Sequence, residues 1–248
     1  MTELVDRLRA AGCVFAEDEA RLLEQSACDP DDLERMVRER VSGVPLEYVL
    51  GWVGFCGIRI AVERGVFVPR RRTAFLVAQA AALQPSVVVD LCCGTGAIAL
   101  ALREQLGTVD VHAADIDPVA VRCALRNLGR QVYRGDLYDA LPERLRGRVD
   151  VLAVNAPYVP TEAIATMPPE AREHEPLSAL DGGADGVAIQ RRIAAGAPDW
   201  LAPDGHLLIE TSTVQADRTA AAVAGHGLVP RVLYSDDLGA TVVIGSRV

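Results

Sequence analysis

The chain has 248 residues, half of them apolar, with a formal net charge of -9 at neutral pH. That length allows one large domain or a moderate domain with a small appendage, and the apolar share is enough for a sizeable core. The acidic balance argues against a protein that coats nucleic acid, because such affinity needs a basic face for phosphate.

Taken from the start, Met1-Thr2-Glu3-Leu4-Val5-Asp6 lacks the basic and apolar blocks of a signal peptide. No apolar run approaches the roughly 18 to 20 residues that span a bilayer. The expectation is a cytoplasmic protein with neither a membrane nor a direct nucleic-acid partner. Residues 1–45 read as a small helical lobe. Its clearest helix is capped by Asp29, carries Pro30 at its first position, and places Asp31 and Asp32 against the helix dipole. Leu33, Met36, Val37 and Val41 are expected on one face, with weaker versions of the pattern near 3–11 and 18–27. Residues 46–72 read as a β-hairpin linker, since Gly51, Gly54, Gly57 and Gly65 punctuate apolar residues and 58–62 alternates.

Residues 73–248 form the third expected domain, opened by Thr73 as the cap of a helix over 74–83. Strands are expected at 86–90, 109–114, 131–134, 149–154, 205–210, 229–234 and 240–244, with helices at 97–106, 118–128, 186–195 and 213–224. Such alternation implies a parallel sheet with helices on both faces. The six cysteines (Cys13, Cys28, Cys56, Cys92, Cys93 and Cys123) contain no C-x-x-C pair, so neither a disulfide framework nor a metal is expected. All 25 basic residues are arginine, which removes Schiff-base catalysis and the phosphate-loop lysine.

The segment Val87-Val88-Val89-Asp90-Leu91-Cys92-Cys93-Gly94-Thr95-Gly96 is an apolar strand that ends in a carboxylate and turns through glycines into a helix. Small residues let backbone approach a ligand, and the helix N-terminus offers unpaired N–H groups to an anion. Asp115, at the end of the next strand with Ile116 beside it, is placed to accept two ribose hydroxyls. Gly94-x-Gly96-x-x-Ala99 also satisfies the dinucleotide fingerprint, so the loop alone does not choose the cofactor. The longer spacing from the strand to the first glycine favours S-adenosylmethionine. After the third strand of this series, Asp136 could accept from an adenine amine while Leu137 or Tyr138 flanks the ring.

The apolar run 149–154 ends at Asn155-Ala156-Pro157-Tyr158, and Asn155 is one of two asparagines in the chain. Ligand crevices of α/β sheets lie at such strand ends. A carboxamide beside a proline-fixed turn and an aromatic ring can hold another planar amide or amine by paired hydrogen bonds and stacking. In this reading the oxygen of the Asn155 side chain and the carbonyl of Ala156 accept both N–H bonds of the acceptor, and Tyr158 packs on its plane. The histidines (His112, His174, His206 and His226) read as structural, and the Arg70-Arg71-Arg72 run, like Arg144, Arg146 and Arg148, as a solvated face.

With these residues in hand, the chain resembles the HemK/PrmC family of protein-(glutamine-N5) methyltransferases, from about Gly43 to its end. The likeness runs through Gly43-Val44-Pro45-Leu46-Glu47-Tyr48-Val49-Leu50-Gly51, Val68-Pro69-Arg70 with Thr73, Asp90 to Ile98, and Asn155 to Tyr158. It continues through Glu175-Pro176, Ala179-Leu180-Asp181-Gly182-Gly183-Ala184-Asp185-Gly186, and Leu201 to Glu210 with Gln215. The resemblance implies an α/β, Rossmann-like class I S-adenosylmethionine-dependent methyltransferase whose seventh strand is antiparallel. It also implies a helical lobe that helps select the substrate, and as acceptor the Gly-Gly-Gln glutamine of a peptide chain release factor. This sequence departs from the family pattern at Ala156, where proline is usual, at Cys92 and Cys93, and at Arg72 and Ala74, where the family motif is acidic. Two alternatives stay open: an N-methyltransferase for a small metabolite or a nucleobase amino group, and a binding module without transfer activity.

Overall fold

Three short helices, α1 (Thr2–Ala10), α2 (Ala16–Ser26) and α3 (Pro30–Val41), open the chain in the computed structural model, which describes residues 2–247. Met1 and Val248, the outer ends of the first and last expected domains, lie outside the described residues. The Asp29 carboxylate accepts from the Asp32 N–H at 2.8 Å, a cap of the kind that contributes about 1 kcal/mol to a helix. Leu8, Ala20, Leu23, Met36 and Val37 bury together. Val41, expected on that face, is turned to solvent. With a period of 3.6, residues 33, 36, 37 and 40 form the middle of a stripe, and 41 falls at its edge. Arg40 therefore takes the buried place, its guanidinium satisfied by Glu19, Glu170 and the carbonyl of Val44.

The linker begins with a helix that its glycine-rich texture concealed. In α4 (Leu46–Leu50) Tyr48 and Val49 are buried in the lobe's core, and Gly51 ends the helix at a φ of 76°. The hairpin is confined to β1 (Trp52–Phe55) and β2 (Ile58–Ala61), joined by Cys56 and Gly57, both left-handed, as a twisted two-residue hairpin turn requires. Phe55 and Ile60 of the hairpin belong to the core beneath the main sheet, and Val53 touches that core and the lobe's.

The main sheet follows the expected alternation: α5 (Ala74–Ala82), β3 (Val87–Leu91), α6 (Ala97–Leu106), β4 (Asp110–Asp115), α7 (Pro118–Leu128), β5 (Val132–Arg134) and β6 (Val149–Val154). Beyond β6 come α8 (Pro169–His174), α9 (Ala188–Trp200), β7 (Leu201–Thr211), α10 (Ala216–Ala224), β8 (Val229–Ser235) and β9 (Ala240–Ser246). Strand order is β5-β4-β3-β6-β7-β9-β8, with β9 antiparallel to both neighbours and the pairs from β5 to β7 parallel. Alternate residues of the central strands serve opposite faces. Val88 and Val151 pack toward α5 and α6, while Val89 and Leu152 pack toward α9 and α10. Burial on both faces is why these strands read as continuous apolar runs. The connection direction reverses at β3, between β4 and β6, and that reversal places a crevice at the strand ends.

The largest boundary shifts lie between α9 and β7. The helix expected to end at 195 runs on to Trp200 through Pro198, and β7 starts at Leu201, four residues before Gly205. Among the described residues no helix is long and apolar enough to cross a membrane, and no group of three or more His, Cys, Asp or Glu could hold a metal ion.

Candidate active site

A cleft of about 900 Å³ opens where β3, β4 and β6 end. From the loop after β3 it is lined by Cys92, Cys93, Gly94 and Thr95, after β4 by Asp115 and Ile116, and after β5 by Asp136 and Leu137. The whole turn from Asn155 to Tyr158 lines it after β6. Residues far apart in sequence thus share one wall, because parallel strands all end on the same edge.

Asp115 ties the first two loops together. Its Oδ2 accepts from the Gly94 N–H at 2.8 Å and its Oδ1 from the Asp117 N–H at 2.9 Å. Burial pushes this carboxyl up, and those two N–H groups oppose the shift. Gly94 takes a φ of 53°, and Cys92 takes 56°, a left-handed conformation that costs a side-chain-bearing residue about 1 to 2 kcal/mol. Burial also pushes the thiols of Cys92 and Cys93 up, so both are neutral walls of the cleft, poor nucleophiles. Ile116 is 57% exposed and lines the cleft with Leu137, giving a flat ring two apolar contacts amid polar groups.

Two residues expected at the ligand do not line the cleft. Asp90 has no exposed surface; its Oδ2 accepts from the Ala99 N–H at 3.1 Å, and its Oδ1 has no hydrogen-bond partner among the described residues. Burial pushes its carboxyl well above the usual range, and it braces β3 against α6. Gly96 serves packing: at a φ of 74°, a Cβ there would sit 2.9 Å from Leu128 Cδ1. Tyr138, one of the two residues expected to flank a ring, instead stacks on Trp200 at 5.8 Å and donates to the carbonyl of Ile193. Asp136 is engaged by Arg192, whose Nη2 lies 2.7 Å from its Oδ2.

The other half of the cleft is assembled from distant segments. Asn155 donates through Nδ2 to the Thr73 hydroxyl at 3.3 Å, which orients the amide with Oδ1 turned from Thr73. Thr73, expected as a helix cap, makes no capping hydrogen bond among the described residues; it lies buried in the short turn Arg71–Thr73. The neighbouring Arg72 donates through Nε to Glu210 Oε1 at 3.1 Å and through Nη2 to the Tyr158 hydroxyl. The backbone of Tyr158 is fixed as well, for its carbonyl accepts from Gln215 Nε2 at 2.7 Å. Gly182 and Gly186 press their backbone onto it so closely that a Cβ at Gly182 would meet Tyr158 Cα at 2.7 Å.

Of the arginine run read as a solvated face, Arg71 alone is exposed. Arg70 grips both oxygens of Glu175 at 2.7 Å, while Arg72 joins Glu210 to Tyr158. Burial pushes Glu175 and Glu210 up, and the arginines pull them back. Composition held no sign of these pairings, whose partners stand 105 and 138 residues apart. Glu175 entered the reading only through the resemblance, and Glu210 only as the end of the strand expected over 205–210 and through the resemblance.

A parallel sheet with one antiparallel strand, a glycine loop pinned to the carboxylate that ends the next strand, and two apolar side chains beside it make a site that fits S-adenosylmethionine. The Methyltransferase small domain family model matches residues 57–168. Among solved structures, the 16S rRNA N2 G1207 methyltransferase of Thermus thermophilus aligns at a TM-score of 0.56 and 17% identity, over 79% of this chain and 50% of that one. These define the fold of a class I S-adenosylmethionine-dependent methyltransferase.

Closer relatives narrow the class. The release factor glutamine methyltransferase of Geobacter sulfurreducens is 34% identical over 220 residues, 86% of this chain and 76% of the relative. The chain belongs to the release factor glutamine methyltransferase family and is an S-adenosylmethionine-dependent N-methyltransferase. A relative with a different name, the 4-amino-L-phenylalanine/4-methylamino-L-phenylalanine methyltransferase of Streptomyces pristinaespiralis, is 33% identical over 243 residues, 87% of this chain and 82% of that one.

Proposed function

We propose that this enzyme methylates the side-chain amide of a protein glutamine at N5, with the glutamine of a peptide chain release factor's Gly-Gly-Gln motif as acceptor. The reading is supported by the family and by the arrangement of Asn155, whose Nδ2 is engaged by Thr73 so that Oδ1 is left as acceptor. In this proposal Gly94, Asp115, Ile116 and Leu137 hold the cofactor, with Cys92, Cys93, Thr95 and Asp136 shaping its walls. Bound there, S-adenosylmethionine supplies an electrophilic methyl group on a sulfonium.

An amide nitrogen is a poor nucleophile because its lone pair is delocalised into the carbonyl. Asn155 Oδ1 and the Ala156 carbonyl accept its two N–H bonds and fix its direction, while the Tyr158 ring covers the amide plane. No strong base is required, and the proton leaves late to a carbonyl or to water. Residues 1–45 select the acceptor protein, 46–72 link, and 73–248 carry the transfer. Ala156, 1% exposed and packed in the core, replaces a proline of the family motif without opening the turn to solvent.

The test is mass spectrometry of purified release factor after incubation with enzyme and cofactor. A methyl on the Gly-Gly-Gln glutamine supports the reading, and an unmodified factor sinks it. A second reading, an aromatic amine of an amino-acid-like metabolite, is favoured by the relative named for 4-amino-L-phenylalanine. Offering that amine in parallel separates the two.

A further inference from the structure

We propose that Arg72 is a positioning residue for methyl transfer, one that fixes the Tyr158 ring as a wall of the acceptor slot. The inference rests on the reading of residues 155–158 as the acceptor site and adds a residue that the family motif does not supply, since that motif is acidic at this position. The short turn Arg71–Thr73 grips both ends of the acceptor turn: Thr73 takes the amide of Asn155, and Arg72 takes the hydroxyl of Tyr158.

The backbone of Tyr158 is already immobilised by Gln215 and by the glycines of the 182–186 loop. What remains free is the swing of the side chain about its Cα–Cβ bond, and Arg72, holding the hydroxyl at the far end of the ring, acts on that. A guanidinium is a rigid planar fork, so anchoring one edge sets the direction of the other donors. Glu210 is the anchor. It lies on β7, in register with Val242 of β9, and its side chain is 1% exposed, so it has little freedom to move. The Arg72 Nε–Glu210 Oε1 bond at 3.1 Å therefore aims Nη2 at the phenol oxygen, and the guanidinium carbon stands 5.8 Å from the ring centroid. Arg72 itself lines the cleft, 40% of its side chain being exposed, so it is reachable from the cleft.

The experiment uses the full chain labelled with 3-fluorotyrosine, whose five tyrosines give a countable fluorine spectrum. Tyr158→Phe assigns the Tyr158 resonance. In Arg72→Met that resonance should shift and broaden while S-adenosylmethionine affinity stays at the wild-type value. With purified release factor as acceptor, kcat should fall roughly 10- to 100-fold while KM for the factor changes less than about threefold. In the Tyr158→Phe background the same change should cost little more, because the group it acts through is gone. Arg72→Lys, which keeps the charge but loses the fork, should fall between, and it carries the cycle if Arg72→Met does not fold.

An unmoved Tyr158 resonance, or full additivity of the two substitutions, overturns the proposal. If neither release factor nor the aromatic amine accepts a methyl group, the acceptor reading has failed, and the fluorine spectrum still decides whether Arg72 holds the ring.

Discussion

The two halves of the cleft are built on opposite principles. On the donor side, the glycine loop is pinned close by: Asp115 takes the N–H groups of Gly94 and Asp117, 21 and 2 residues away, and only Asp136 reaches far, to Arg192 across 56. On the acceptor side, the side-chain anchors span long stretches of chain. Thr73 reaches Asn155 across 82 residues, Gln215 reaches Tyr158 across 57, and Arg72 reaches Glu210 across 138. The glycine loop and Asp115 can therefore form with two neighbouring strand–helix units, whereas the acceptor site exists only once the whole sheet and linker are in place.

The widest separation of the halves should come from Asn155→Ala. Turnover is expected to fall by roughly 10²- to 10³-fold, the scale of one lost oriented group, while cofactor affinity by calorimetry stays nearly intact. Equal loss of both would erase the distinction. Next comes Gly186→Ala, where a Cβ would lie 2.0 Å from Gln215 Nε2 and 2.4 Å from the carbonyl of Tyr158, at a φ of 75°. Urea unfolding should show a loss of about 2 to 4 kcal/mol. Gly94→Ala, with nothing within 4 Å and only its φ of 53° to strain it, should lose about 1 to 2 kcal/mol. Comparable losses at the two glycines would contradict the contrast in how tightly the halves are packed.

Smaller and confined to the donor half, Asp115→Asn should weaken S-adenosylmethionine binding by about 1 to 3 kcal/mol, leaving KM for the acceptor unchanged. The mildest effect concerns Asp90, whose pKa is raised in the folded state. The folded chain then holds that proton more tightly than the unfolded one. Its contribution to stability is full below the ordinary carboxylate range and declines as pH climbs toward the raised value. Asp90→Asn should remove that decline, seen as a flatter dependence of urea midpoint on pH. An identical slope in both proteins would place the effect elsewhere.

Local patterns carried single strands, their polar ends and helix caps, because periodicity and turn chemistry act over a few residues. The strand 149–154 and its polar end at Asn155 were legible as an apolar run followed by an amide, and the Asp29 cap as a side chain next to Pro30. Where local signals compete, the reading slipped. Gly51, Gly54 and Gly57 disguised α4, Thr73 looked like a cap, and Asp90 and Gly96 looked like ligand contacts although one braces a strand and the other lets two helices close. Tyr138 could have flanked a ring from either side of its loop, and the gap beside Gly196, where a Cβ would lie 2.4 Å from it, decided the matter.

What the amino-acid order determined alone was the alternation of strands and helices, the strand-end loops and the kind of cofactor they cradle, since each depends on backbone periods and on groups a few bonds apart. Which arginine is a surface charge and which is paired to a buried carboxylate was decided only by the folded sheet. An ion pair across 138 residues leaves no mark in composition, and burial, which makes the pair matter, is a property of the assembled core.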